Sequence, residues 1–437
     1  MAMPYDSAAI RELVKPDRVH RDIYIDPGLF EVEMERIFGR AWIYVGHDSQ
    51  VAKPGDYIAT TLGRQPVVMS RHGDDGSVHV LYNRCGHRGA KVVGNRDGNV
   101  RFFRCCYHGW TYRTDGSLLA VPLKRGYEGT GFDAGDPRHS MMHVPRVENY
   151  RGFVFASLAA DGPDLASYLG DARSSIDDMV DRAPAGELEV VGGCFRVLFR
   201  ANWKIFLENL NDTMHPMVVH ESSVDAGAVW AKENLPEGAP DPLQIRFTRN
   251  NGFPYAFWEK LTLQAHENGH SFMGGIFPPR RTDPVFLDYV AAMEKSYGKA
   301  RTEEILAVDR HNTIFYPNTS IQSGYQQIRI IRPLAVDRTQ MDVYAFRLKG
   351  APDEFYKTTL VYSNVVNSPG SIVMPDDHEA YNRVQEGLVA QATDWVDLER
   401  DFGRDRVEGE WTSGIGTSEL PMRNQYRSWL RYMAEEA

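Results

Sequence analysis

Residues 83–118 read NRCGHRGAKVVGNRDGNVRFFRCCYHGWTYRTDGSL. Two Cys–His pairs stand in this stretch: Cys85-Gly86-His87 and, after 17 intervening residues, Cys105-Cys106-Tyr107-His108. Each pair closes a short β-branched and aromatic run, VHVLYNR or VRFFRC, so each is expected in a loop at a strand end. Short loops of this kind can present side chains to one point. Two thiolates and two imidazoles suit a zinc ion, or a 2Fe–2S cluster in which two His replace two Cys on one iron. The chain has four cysteines, and the last, Cys194, lies apart on an apolar run and reads as a packed core residue. So few cysteines in a long chain favour metal or reactive chemistry over a disulfide framework.

The pairs lie within a segment of strand-like runs from 41 to about 160, among them AWIYVGH, DYIATTLG and PVVMSR, punctuated by turn residues such as HGDDGS. That is the pattern of a small antiparallel β module. Upstream, PGLFEVEMERIFGR (27–40) spaces Phe30, Met34, Ile37 and Phe38 as one helix face, with Asp26-Pro27 as its start and Gly39 as its stop. Downstream of DGPD (161–164), DLASYLGDARSSIDDMV reads as helix, and strands such as VVGGCFRVLF and QIRIIRPLAV alternate with further helices. The last of them carries Met422, Tyr426, Trp429, Leu430 and Met433 along one face. The expected fold class is α+β, with a β module inserted near the front of a larger domain. The boundaries read as a helical segment over 1–40, the β module over 41–160 and the main domain over 161–437.

With 437 residues, 42% apolar and 25% charged, the composition is that of an ordinary globular chain. A net charge of −10 argues against a nucleic-acid partner, whose phosphates need a basic face. No apolar run approaches the roughly 18–20 residues of a membrane span. The start, MAMPYDSAAIREL, lacks the basic and apolar regions of a signal peptide, so the chain reads as soluble and cytoplasmic.

A second constellation follows. Residues 209–220, NLNDTMHPMVVH, put a carboxylate, two imidazoles and a proline into a helix-like segment. On a regular helix His215 and His220 would lie roughly 140° apart, too wide for one metal. Pro216 removes a backbone donor and clashes with the preceding turn, so the helix should bend or widen. A widening with i, i+5 character would bring the imidazoles together. Two His and a carboxylate from a distant point make the facial triad of non-haem Fe(II), which leaves positions open for O₂ and water. The structural alternative is a kinked helix with satisfied polar groups.

Both constellations, in this order, resemble the Rieske-type ring-hydroxylating oxygenases. NRCGHRGA and CCYHGWTYRTDGSL are similar to that family's cluster-binding loops. NWKIFLENLNDTMHPMVVH (202–220) is similar to its catalytic D-x-x-H-x4-H pattern. The resemblance spans the chain from about 30 to 435. It implies one Rieske 2Fe–2S cluster, with Cys85 and Cys105 on one iron and His87 and His108 on the other. Cys106 stands where the family usually has Pro. It also implies one mononuclear Fe(II) on His215, His220 and a carboxylate of the later doublet in VMPDDHEAYNRVQEGL, Asp377 before Asp376, with His378 beside them in a supporting place. The larger domain is then expected as helices on an antiparallel sheet. Electrons are expected to pass between subunits of a ring of three, with Asp212 bridging His108 of one subunit and His215 of the next.

The implied activity is that of a terminal oxygenase alpha subunit inserting O₂ into an aromatic ring. No G-x-G-x-x-G follows a strand, so NAD(P)H would act only through a separate reductase, with or without a ferredoxin. The assembly would be a homotrimer or α3β3 with a small β subunit. Asn209, Leu210, Met214 and Val219 are candidates to line an apolar substrate pocket, and NNGFPYAFWEKL (250–261) either covers it or packs. The two-residue gap between Asn209 and Asp212 looks like that of oxygenases for benzoate-, salicylate- or terephthalate-type acids. The alternatives are a polycyclic or biphenyl-type arene dioxygenase, and a Rieske monooxygenase or O-demethylase. A carboxylated ring calls for an arginine, and Arg246, Arg249, Arg329 and Arg332 lie in segments able to reach. From other classes, a simple electron carrier and a zinc-stabilised interaction protein are the competing readings.

Overall fold

A computed structural model describes residues 6–275, 281–308 and 310–434. The first five residues of the expected N-terminal helical segment therefore lie outside the described residues. The chain forms two compact units: a contiguous one over residues 38–165, and a split one made of the chain up to residue 37 and from residue 166. The architecture is α+β, an antiparallel unit followed by a larger one built on a wide antiparallel sheet.

The contiguous unit holds three antiparallel sheets. The largest orders Val78–Tyr82, Gln65–Arg71, Asp56–Leu62 and Asp97–Asn99. A second joins Leu118–Ala120, Thr111–Tyr112 and Phe103–Arg104, and a third Arg146–Tyr150, Phe153–Ser157 and Ile43–His47. Tyr57, Val68, Leu81, Phe103, Trp110, Tyr112 and Met141 pack into one core, and Cys85 and Cys105 belong to it. The thiols thus sit on the dry side of their loops.

In the split unit, the sheet runs from Leu188–Val190 through Arg338–Leu348, Gln327–Ala335, Thr319–Gln322, Arg310–Phe315, Ser271–Gly274 and Thr262–His266 to Trp411–Ile415 and Arg406–Glu408. Strand alternation sorts its faces. Ile321 lies opposite Ile328, while Ser320 lies opposite Arg329 and Gln322 opposite Gln327. The isoleucine face meets the Ser174–Asp181 helix, where Thr313 Oγ1 donates to Ser175 Oγ at 2.9 Å. The polar face is covered by two other helices. Asn312 Nδ2 reaches the Leu210 carbonyl at the end of Trp203–Leu210, and Asn367 of Asp353–Asn367 donates to Gln327 Oε1 at 2.8 Å. Cys194 does not sit in a strand. It precedes Phe195–Phe199 in a loop bearing Gly192 and Gly193 and is half-buried, so its place as a core residue is corrected. Residues 250–261 pack, with Phe253 and Phe257 against Trp258, Leu261, Leu263 and Met273.

The Pro27–Arg36 helix begins as its sequence dictates: Asp26 Oδ1 accepts from the Leu29 amide and Pro27 fills the first turn, where a missing N–H costs nothing. Its inward residue Glu33 is fully buried. Oε1 accepts from Lys204 Nζ (2.6 Å) and Trp429 Nε1 (2.6 Å), and Oε2 from Trp203 Nε1 (2.8 Å). Burial depresses Lys204, and Glu33, then Glu208, oppose this. Glu33→Ala should strand an ammonium and two indole N–H groups in the core and lower unfolding stability by about 3–5 kcal/mol. Denaturant midpoints would measure it, and Glu33→Met with Lys204→Met should recover the share due to the stranded ammonium but not that of the two indole N–H groups. Among the described residues no helix is long and apolar enough to cross a membrane.

Candidate metal centres

The two Cys–His loops share one backbone design. The Cys85 amide donates to the Ala90 carbonyl and the Cys105 amide to that of Trp110, each at 2.8 Å. The Gly89 amide returns to the Cys85 carbonyl and the Gly109 amide to that of Cys105. Gly89 and Gly109 close the loops at φ +75° and +71°, a region that disfavours side chains. Cys85 and Cys105 are therefore equivalent positions, both 2% exposed, while Cys106 is exposed. The His87 and His108 rings meet edge-on with centroids 4.7 Å apart, and His87 stacks on Trp110 at 4.9 Å.

Several features fit a two-iron cluster. His87 Nδ1 is buried without a hydrogen-bond partner. Burial, then His108 and Arg88, push the His87 ring down toward its neutral, ligating form. The Tyr112 hydroxyl lies 2.9 Å from Cys85 Sγ, and burial pushes it up so that it stays a donor. A single tetrahedral zinc would draw its four ligands to within about 4 Å of one another. Among the described residues, the trio of such atoms that meets within 4.8 Å is a different one, His215, His220 and Asp377.

That trio arises where the helix breaks. Trp203–Leu210 ends, Asn211–His215 is irregular, and a single turn follows over Pro216–Val219. The expected i, i+5 widening does not occur. Pro216 instead opens the new turn, where its absent N–H is harmless, and the Asp212 carboxylate accepts from the Met214 amide at 2.8 Å. His215 and His220 flank this turn, their ring centroids 5.6 Å apart.

Both Nε2 atoms address one oxygen: Asp377 Oδ1 lies 3.6 Å from His215 and 3.4 Å from His220. Both Nδ1 atoms face a further carboxylate, Asp212 Oδ2 at 3.6 Å behind His215 and Asp376 Oδ2 at 3.3 Å behind His220. The acidic doublet thus serves the two faces of one imidazole, which helical spacing on Met374–Gly387 permits. Asn209 Nδ2 donates to Asp377 Oδ1 at 3.3 Å, and Ser223 Oγ lies 3.0 Å from Asp376. Burial would raise the Asp212 carboxyl, but His215, the Met214 amide and Arg400 outweigh it and hold it below the usual range. Two imidazoles among carboxylates make a site for a cation, and the hydrogen bond to Asp376 fixes the tautomer of His220, while His215 Nδ1 is buried without a hydrogen-bond partner.

Other expected site residues fall as follows. Leu210 is buried and Met214 and Val219 are half-buried beside the trio. His378 points away, stacked on Phe199 at 5.4 Å. Arg400, which holds Asp212 at 3.6 Å and Glu419 at 3.4 Å, was not foreseen; it lies 188 positions from Asp212 and carries no local motif. Glu208, held by Tyr24 and Tyr426, is pushed up to about 7 by burial.

Residues 41–135 match the Rieske [2Fe-2S] domain family, and residues 165–435 the ring hydroxylating alpha subunit (catalytic domain) family. The toluate 1,2-dioxygenase subunit alpha of Pseudomonas putida is 34% identical over 85% of this chain and 79% of its own length. The biphenyl dioxygenase subunit alpha of Paraburkholderia xenovorans is 33% identical over 98% and 94%. A solved naphthalene 1,2-dioxygenase from Rhodococcus sp., bound to indole, superposes with a TM-score of 0.79 at 25% identity, over 96% of this chain and 95% of that one.

Proposed function

The chain belongs to the Rieske-domain aromatic ring-hydroxylating dioxygenase alpha subunits, and from that premise we propose that it oxidises the ring of a benzoate-type aromatic acid. What supports a ring-oxidising centre most directly is the meeting of His215 Nε2 and His220 Nε2 at Asp377 Oδ1, 3.6 and 3.4 Å away. Cys85, Cys105, His87 and His108 would hold the 2Fe–2S cluster, and His215, His220 and Asp377 the mononuclear iron. When bound, these groups supply single electrons and activated O₂.

The remaining roles belong to the chain itself. Asp376 holds the Nδ1 proton of His220, so that Nε2 presents its lone pair to the metal position. Asp212 stands behind His215 in the same sense, its Oδ2 3.6 Å from a buried Nδ1 that has no hydrogen-bond partner, so it acts on that ring by its charge. Asn209 steadies Asp377. Tyr112 donates to Cys85 Sγ, a contact that raises the potential of a bound cluster. With both groups bound, Asp212 would in addition bridge this centre to the cluster of a neighbouring subunit, accepting a hydrogen bond from His108 of the partner subunit. Asp212→Asn should keep both metal centres filled and lose turnover by at least about 100-fold. Steady-state rates with iron analysis check it, and normal turnover would remove the coupling role.

The aromatic-acid reading is supported by the toluate relative and by the Asn209–Asp212 spacing. A second reading, an uncharged biphenyl-type or polycyclic arene, is favoured by the biphenyl relative. The alpha-subunit relatives support a small β partner in an α3β3 assembly, or a trimer alone, fed by a separate reductase or ferredoxin. Turnover of benzoate and of naphthalene under ¹⁸O₂, with a reductase supplied, tests the proposal. Both labelled atoms in a benzoate-derived diol are expected; a naphthalene diol with untouched benzoate would give the second reading.

A further inference from the structure

Arg329 lies on the helix-covered polar face of the catalytic sheet and is 6% exposed. A guanidinium this far from water ordinarily meets a carboxylate. Here it meets none. Nη2 donates to Asn312 Oδ1 and, at 3.3 Å, to Ser320 Oγ, while Nε is buried with no acceptor. The other candidate arginines differ. Arg332 shares Asp342 with Arg196, Arg249 pairs with Asp241 at 2.7 Å, and Arg246 is half-buried beside the Phe247 ring.

The groups around Arg329 do not neutralise it. His311 is pushed to about 3 by burial and by Arg329 itself, so it stays uncharged. Gln322 spends its amide on Asn312 Oδ1 at 2.7 Å. Gln327 Oε1 accepts from Asn367, and its Nε2 has no partner. One full positive charge, spare donors on Arg329 and Gln327 and one spare acceptor, Gln322 Oε1, are left beside aromatic surface. Tyr325 and Tyr362 stack at 3.7 Å, and Phe247 meets Tyr362 edge-on at 5.2 Å.

This cluster adjoins the trio. Asn312, which accepts from Arg329, donates through Nδ2 to the Leu210 carbonyl at 2.5 Å. The neighbouring Asn209 donates to Asp377 Oδ1. Burial pushes Arg329 down, and Tyr362, Tyr381 and, least, Asp377 oppose it. An arene carboxylate needs an apolar or aromatic wall for its ring and a charged fork for its head group. We infer that Arg329 is the carboxylate receptor of the substrate pocket and sets its specificity for arene monocarboxylates, an inference that rests on the aromatic-acid reading above.

The test uses the purified full chain with its metals in place. Calorimetry compares benzoate with its uncharged counterpart benzamide for the wild type, Arg329→Met and Arg329→Lys. The wild type should prefer benzoate. Arg329→Met should lose benzoate affinity by about 100-fold or more and keep that for benzamide within a few-fold. Arg329→Lys, a point charge without a fork, should fall between. Without ligand, Arg329→Met should also raise the Tm, because an unpaired buried charge has been removed. A merely structural arginine would lower it. Unchanged benzoate binding in Arg329→Met, or an equal loss for both ligands, overturns the receptor role and leaves the aromatic-acid reading standing. A wild type that binds naphthalene but not benzoate overturns that reading and the receptor with it. If Arg329→Met does not fold, Arg329→Lys decides: a loss confined to benzoate supports the receptor, and no such loss overturns it.

Discussion

Asp377→Ala is expected to give a folded, red-brown protein with about two irons per chain instead of about three, and no ring oxidation. The reason is geometric. Asp377 Oδ1 is the oxygen that both His215 Nε2 and His220 Nε2 face, so removing it takes away the anionic member of the trio. Two neutral imidazoles hold a divalent ion far less firmly than two imidazoles and a carboxylate. Asp376→Asn should behave differently. That carboxylate lies behind His220, at Nδ1, and its loss should weaken metal affinity by about 10–100-fold without emptying the site at saturating iron. Iron titration with the cluster absorbance as internal reference separates the two variants. An emptied site in Asp376→Asn with a retained one in Asp377→Ala would reverse the assignment.

Cys105→Ala should abolish the cluster, bleach the protein and stop turnover, whereas Cys106→Ala should match the wild type in colour and rate. Adjacent cysteines look interchangeable in sequence; their surroundings are not. Cys105 occupies the loop position equivalent to Cys85, with the same amide and carbonyl contacts, and points into the core. Cys106 is exposed. Visible absorbance and the reduced-state electron paramagnetic resonance signal read the outcome. A cluster lost from Cys106→Ala and kept in Cys105→Ala would transfer the ligand role.

How much of this was legible in sequence depended on how local each cause is. The Cys–His loops and the D-x-x-H-x4-H run keep their chemistry within a few residues of one another, so spacing carried it. The Pro27 helix start was equally local, since Asp26 caps what Pro27 opens. The course of residues 209–220 was half legible. A proline inside a helical pattern signals disruption, but whether the backbone widens or restarts is decided by what the freed groups find. Here Asp212 takes the Met214 amide, and restarting wins. Arg400 behind Asp212, and Arg329 without a counter-ion, were beyond sequence. A charge is recognised as paired or unpaired only once distant strands fix its neighbours, and four arginines of similar standing separate only through Asp342 and Asp241.

The Glu33 network carries a consequence for biogenesis. Its partners Trp203 and Trp429 are made 170 and 396 residues after it. The ribosome must therefore travel 396 residues past Glu33 before that carboxylate finds its last donor. Residues 38–165 have no such wait, being contiguous, and emerge whole while the remainder is still being translated. Folding is thereby ordered in time: the unit that carries Cys85 and Cys105 is complete first, and the core around Glu33 closes only after Trp429 has been made.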